Sequence, residues 1–286
     1  MPELPEVYTA LQKALDFPDV VNEPRPYLGM SGVGKECLRA QWYSFRWASG
    51  NSVYPQRVRR IFERGDLEEE RIIKDLRAVG VDVYMMKGDE KLYPKGVRDE
   101  FQEEVVHFTG HSKGHIDGRA INVPGAEKTE HLCEFKSMKA SKFKDYQKNG
   151  FDNFSEYKFQ IHMYMGYLKL TRCLYVVTNK DTEERDYKRY EFDINVYEEG
   201  LERIMKVLAT DVPPIRISDK PDFYKCRFCN ERDICFGVEP HNQNCRTCTS
   251  GDMHDGGIWK CTKDTTGTPI PVKIQRKGCP QYEALI

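Results

Sequence analysis

Two short segments constrain this chain most: GHIDG at 114–118 and CEFKS at 133–137, separated by a turn at 123–128. Alternate residues of a strand share a face, so Glu134 and Lys136 point one way while Cys133 and Phe135 point into the core. Two strands joined by so short a connection bring Asp117 beside Glu134. The chain must therefore build a sheet that carries two carboxylates and a lysine at one place.

The flanking sequence predicts how that sheet is covered. Residues 1–55 read as an entry segment, with a helix near 6–15, a loop rich in Pro and Gly, and an aromatic stretch at 41–47. A helix is expected over 59–78, with Ile61, Phe62, Ile72, Ile73 and Leu76 as a partial apolar stripe. Extended segments follow at 81–86, 105–110, 115–123 and 130–137. Then come a helix at 157–170, a β-branched run at 174–178 and a helix at 196–208. This order predicts an α/β fold, a mixed central sheet flanked by helices. From Pro221 onward the composition turns to Cys, Gly and polar residues. The expected layout is a core over 1–220, a segment packing on it over 221–240, and a small Cys-rich metal-binding tail over 241–286. No internal repeat is seen.

With 286 residues, 39% hydrophobic and 31% charged, the composition is that of an ordinary enzyme. No apolar run is long enough for a membrane span, and MPELPEVYTA lacks the regions of a signal peptide, so a cytoplasmic protein is expected. The net charge of −1 means that attraction to a polyanion must come from local patches. Arg57, Arg59, Arg60 and Arg64 form one. Lys136, Lys139, Lys142, Lys144 and Lys148, interleaved with Phe135, Phe143 and Tyr146, form another, although a lysine run is also what a solvated face looks like.

Ten cysteines in a reducing compartment point to metal ligation more than to disulfides. Cys226, Cys229 and Cys235 have C-x2-C-x5-C spacing, and Cys37 stands alone upstream. Cys245 and Cys248 form a close pair followed by Cys261 and Cys279, a set that suits tetrahedral structural zinc, with His241 or His254 as alternatives for a distant ligand. Cys133 and Cys173 read as core residues.

Two carboxylates on rigid strands make an oxygen site for a hard cation, which is what phosphodiester hydrolysis needs, and a neighbouring lysine can orient or deprotonate water or stabilise developing charge. GHIDG with EFKS resembles the active-site hairpin of the PD-(D/E)XK nucleases. Gln160 and Tyr164 in QIHMY resemble the Q-x-x-x-Y motif of the RecB-like branch, on one helix face at i, i+4. FERGDLEEE resembles the preceding helix of phage and RecB-like members, where the offset from glycine selects Glu69, with Glu68 and Glu70 close by. The resemblance spans about residues 30 to 236. It implies a restriction-endonuclease-like core and a deoxyribonuclease, in the first instance an exonuclease of phage or bacterial DNA recombination or processing, acting in the host cytoplasm if phage-encoded. Magnesium or manganese would sit on Glu69, Asp117, Glu134 and the Phe135 carbonyl, with Lys136, Gln160 and Tyr164 completing the catalytic set. DNA is the implied partner, contacted by Arg60, Arg64, Lys139, Lys142 and Lys180, the last either as a DNA contact or structurally. A recombination partner protein is a further expectation, and the oligomeric state stays open. Resemblance to the iron-sulfur nucleases of the same branch assigns Cys37, Cys226, Cys229 and Cys235 to a 4Fe-4S cluster, with zinc on the same residues, or a buried unligated Cys37, as the alternatives.

Three other readings compete. MPELPEV matches the start of formamidopyrimidine-DNA glycosylases, whose nucleophile is the second-residue proline, but the tail lacks that family's two close cysteine pairs. GMSGVGK at 29–35 nearly completes a phosphate-binding loop, but Glu36 stands where a magnesium-binding Ser or Thr is required; Ser31 and Arg39 instead suit a DNA or cluster contact. A non-catalytic DNA-binding module stabilised by metal is the rival from another class.

Overall fold

The structure is a computed structural model that describes residues 20–50, 52–54, 56–84 and 102–285. The helix expected at 6–15 and the end of the strand expected at 81–86 lie outside these. The strands are β1 Val20–Asn22, β2 Leu28–Gly29, β3 Ser52–Tyr54, β4 Asp82–Tyr84, β5 Glu104–Val106, β6 Ser112–His115, β7 Gly118–Ile121, β8 His131–Met138, β9 Arg172–Asn179, β10 Arg185–Glu191, β11 Gly251–His254 and β12 Ile258–Cys261. The helices are α1 Leu38–Phe45, α2 Gln56–Ala78, α3 Ala140–Asn149, α4 Ser155–Leu168, α5 Ile194–Leu208, and the short α6 Arg232–Cys235 and α7 Val272–Gln275.

The central sheet has the order β10-β9-β8-β7-β4. Only β8 and β9 run parallel, from Leu132↔Cys173 to Met138↔Asn179. A parallel neighbour requires a crossover, and α3 and α4 supply it. Both faces of the sheet are covered, as a parallel pair demands. On one side Ile72, Ile73 and Leu76 of α2 pack on Cys133, Phe135, Leu174 and Val176. On the other, Phe143 and Tyr146 of α3 and Ile161, Tyr164 and Met165 of α4 pack on Leu132, Met138, Cys173, Tyr175 and Val177. The fold is thus the mixed α/β sheet flanked by helices that the periodicities predict.

The stretch expected as one strand over 115–123 is instead two. β6 belongs to a small sheet of order β2-β6-β5, while β7 joins the central sheet. The break falls at Ile116-Asp117, and Gly118, with φ of 150°, makes the turn without a side-chain clash. Among the elements that the sequence patterns do not anticipate are α3, the edge strand β10 and the β11–β12 hairpin.

The Cys-rich tail docks on α1. Trp259 of β12 joins Trp42, Tyr43 and Phe45 in a second buried cluster with Phe159 and Ile204. Arg246 donates to the Phe45 carbonyl at 2.9 Å, Arg46 donates back to the Arg246 carbonyl at 2.9 Å, and the Arg246 guanidinium lies 3.7 Å from the Trp47 ring centroid. Capping the last carbonyls of a helix with cations suits its dipole. No helix among the described residues is long and apolar enough to cross a membrane.

Candidate active site

β7 begins at Gly118, opposite Cys133, so beyond Cys133 the β7 side of β8 has no strand to pair with. Asp117 fills the gap: the Phe135 amide donates to its Oδ2 at 2.7 Å. Where the strand ladder stops, a carboxylate takes over the bond, and this fixes Asp117 against β8.

Glu134 is fully buried on the α3–α4 face of β8. One carboxylate oxygen pairs with Lys136 Nζ; the other, Oε2, has no hydrogen-bond partner among the described residues. Burial pushes the Glu134 carboxyl up to about 8, the Asp117 charge adds to this, and Lys136 opposes it. A buried carboxylate with an orphan oxygen beside a second carboxylate is costly unless positive charge is supplied. Lys136 is one-fifth exposed along its side chain, at 21%, while its ammonium pairs inward with the buried Glu134. Burial alone would lower the Lys136 pKa, but Glu134 and Asp117 outweigh it and hold the ammonium above its ordinary range. The Tyr157 ring centroid lies 5.8 Å from Nζ, a contact that sequence reasoning missed, because Tyr157 read only as the start of a helix.

Gln160 and Tyr164 are both buried on α4. The Tyr164 phenol is pushed up first by burial and then by the charges of Glu134 and Asp117, with a smaller opposing hydrogen bond from Gln160. Tyr164 reaches this place because Gly114 has no side chain: a Cβ there would stand 2.5 Å from the tyrosine oxygen. The glycine of GHIDG, the Q-x-x-x-Y helix and the two carboxylates thus meet.

In α2 the buried acid is Glu68. It accepts from Thr178 Oγ1 at 2.8 Å, Arg185 Nη2 at 3.0 Å and Arg71 Nη1 at 3.3 Å. Glu69, the residue selected by motif offset, is half-buried on the same inward side of the helix. The Arg185 guanidinium beside Glu68 had no sequence signal, since it belongs to the unanticipated β10, whereas Arg71 sits at i+3 on the predicted helix.

Basic residues gather at the end where β8 and β9 finish. Lys139 and Lys142 are exposed at the start of α3, and Arg60 is exposed on α2. Lys180, half-buried, donates its amide to the Met138 carbonyl at 2.9 Å. Arg64 donates to the Lys180 carbonyl at 2.6 Å and reaches Glu183 at 3.4 Å. The carboxyl ends of parallel strands are where open α/β sheets present ligand sites. A separate cleft of about 1070 Å³ lies between residues 29–35 and 224–231. Its lining omits Asp117, Glu134 and Lys136, and its six carboxylates outnumber four cationic side chains, so it does not suit a polyanion.

Cys133 and Cys173 are fully buried core thiols. Cys37 caps α1 and Cys235 ends α6. Burial raises the Cys226 thiol, with Cys37 and Cys235 adding to it, and Cys229 is raised by burial and, among smaller causes, by Cys37 and Cys226. In the tail, burial raises Cys245, followed by Cys248, Cys261 and Cys279. In each set some thiols therefore lie close enough to feel the charge of others. Among the described residues no three His, Cys, Asp or Glu side chains are drawn together as a bound metal ion would hold them.

No known family profile matches the sequence, and no curated protein matches it. Among solved structures, the chain is similar to an alkaline exonuclease, LHK-Exo, from Laribacter hongkongensis, with 16% identity and a TM-score of 0.45 over 65% of this chain and 88% of that one. The same enzyme in complex with dAMP gives 16% and 0.45 over 64% and 87%. The structure of SSO0001 gives 13% and 0.38 over 82% and 96%.

Proposed function

We propose that this chain is a divalent-metal-dependent deoxyribonuclease. The observation that carries the reading is the convergence of Asp117, Glu134 and Lys136, with a buried Glu134 oxygen left without a hydrogen-bond partner among the described residues. That orphan oxygen and the adjacent carboxylate fit magnesium or manganese, and the Phe135 carbonyl and Glu69 are the further donors. When bound, such an ion supplies charge neutralisation and activation of water.

The protein's own groups do the rest. Asp117 is locked by the Phe135 amide, and Glu134 by its strand, so both are preorganised. Lys136 presents a cation where a phosphoryl group would acquire negative charge. Gln160 and Tyr164 wall the carboxylates from α4 and fix their surroundings. Arg60, Arg64, Lys139, Lys142 and Lys180 form a rim that would hold phosphates without reading bases. Cys37, Cys226, Cys229 and Cys235 would hold a 4Fe-4S cluster, or zinc, tying α1 to the segment after α5. The exonuclease mode, and a place in recombination or DNA processing, rest on the motif resemblance.

The test compares wild type with Lys136→Ala on linear and closed-circular DNA, single and double stranded, with magnesium, manganese or chelator. Loss of one such electrostatic contact is expected to slow cutting by roughly a hundredfold or more, and linear DNA is expected to be cut while circles are spared. No cutting by wild type under any condition, with DNA binding retained, would make the chain a binding module instead.

A further inference from the structure

We propose that Cys245, Cys248, Cys261 and Cys279 form a zinc site that holds the C-terminal tail closed, a site separate from the proposed nuclease centre. Three chain segments meet there. Cys245 and Cys248 lie at a tight turn in which the Gly251 amide donates to the Cys248 carbonyl at 3.0 Å. A Cβ on Gly251 would collide with the Cys245 carbonyl, so the turn is wrapped directly on β11. Across the hairpin Gly251 is paired with Cys261, which puts the third cysteine beside the first two. The last segment is pinned to the same turn: Cys248 bridges to Ala284, and the Leu285 and Thr249 amides donate to the Thr247 and Glu283 carbonyls, each at 2.9 Å. Cys279 lies a few residues before this pinned segment, near enough for its charge to act on Cys245, and its sulfur accepts the Gln281 amide at 3.4 Å.

The tail also lacks the means to hold itself together by burial. From residue 241 onward its buried apolar side chains are Cys248 and Trp259, and the other buried ones, Asn244, Arg246, Thr247, Ser250 and Gln275, are polar. With so little core of its own, a segment held mainly by docking on α1 gains stability from a metal staple. All four cysteines are free thiols, so disulfides do not provide it. Four thiolates in tetrahedral array are what zinc prefers, and such a site contributes folding energy directly. On binding, each thiol releases its proton to solvent and each sulfur donates a pair of electrons to the metal. Cys279 is the exposed member of the four.

The test uses the full chain, purified with reductant and without added chelator. Metal is quantified by mass spectrometry, and thiols are footprinted with an alkylating agent before and after a strong zinc chelator. The expected result is zinc in the wild type, slow alkylation at Cys245, Cys248, Cys261 and Cys279 until the chelator is added, and a loss of about one zinc per chain in Cys279→Ser. Equal alkylation with and without chelator would overturn the proposal, as would iron at these four residues or disulfides among them in the fresh protein. The footprint is read on the wild-type chain, so it decides even where a cysteine variant fails to fold.

Discussion

At the scale of single residues, two neighbouring acids of α2 separate structure from chemistry. Glu68 is the buried centre of a network with Thr178, Arg185 and Arg71, while Glu69 sits one position on. Removing Glu68 leaves Arg185 with Asp75 at 2.6 Å as its remaining close acid. Glu68→Ala is therefore expected to cost about 2 kcal/mol of stability in denaturant unfolding, less than the roughly 3–5 kcal/mol of a fully buried broken pair. Glu69→Gln is expected to change stability by less than about 0.5 kcal/mol and to lower metal-dependent cutting by more than roughly tenfold. The reverse pattern would make Glu68 the metal ligand. The sequence made the Asp117, Glu134 and Lys136 arrangement legible, because strand alternation and a short connection leave little freedom. It did not make the choice between Glu68 and Glu69 legible, since that depends on how α2 is rotated over β9 and on arginines from a distant strand.

At the scale of elements, α3 shows why a charged run misleads. Phe143 and Tyr146 are its buried residues, too few for a recognisable helical stripe, so its lysines read as a patch and not as a helix. The structure turns them outward beside the end of β8. If they meet DNA, Lys142→Ala is expected to weaken binding about equally across sequences and to reduce the salt slope of binding by about 1, with unfolding unchanged. Binding titrations at several salt concentrations check this, and an unaltered slope would return the run to an ordinary solvated face. β10 was hidden for a related reason. Its sequence RDYKRYE is polar on both sides because it is an edge strand, and charged residues at a sheet edge discourage further pairing. Long elements that bury a face, namely α2, α4, α5, β8 and β9, were legible; short or edge elements, whose burial depends on partners, were not.

At the scale of the whole molecule, the tail meets the core at a turn that carries two buried histidines. The Gly257 amide donates to the Thr109 carbonyl at 2.9 Å, and His111 Nε2 donates to the His254 carbonyl at 2.8 Å. His107 Nδ1 engages Thr109 Oγ1 at 2.8 Å, so both rings brace the surface on which the β11–β12 hairpin rests. Burial pushes His107 down to about 4, with His111 adding to the effect, and burial also lowers His111. A histidine kept neutral in the folded state while the unfolded chain protonates near its ordinary value destabilises the fold as pH falls. For His107 this loss begins near pH 6.5, grows as pH drops towards 4, and reaches about 3 kcal/mol. His162, also pushed down to about 4 by burial, acts in the same window from the α4 side. Thermal unfolding from about pH 7.5 to about pH 4.5, roughly one unit above the ordinary histidine value to two below it, is expected to show Tm falling with acid, and falling less in His107→Gln than in the wild type. Limited proteolysis at the acid end is expected to cut first within residues 241–285, because protonation of His107 and His111 acts where the tail docks. An acid limb equally steep in the variant would take the pH sensitivity away from His107 and place it on His111, His162 and the rest of the core.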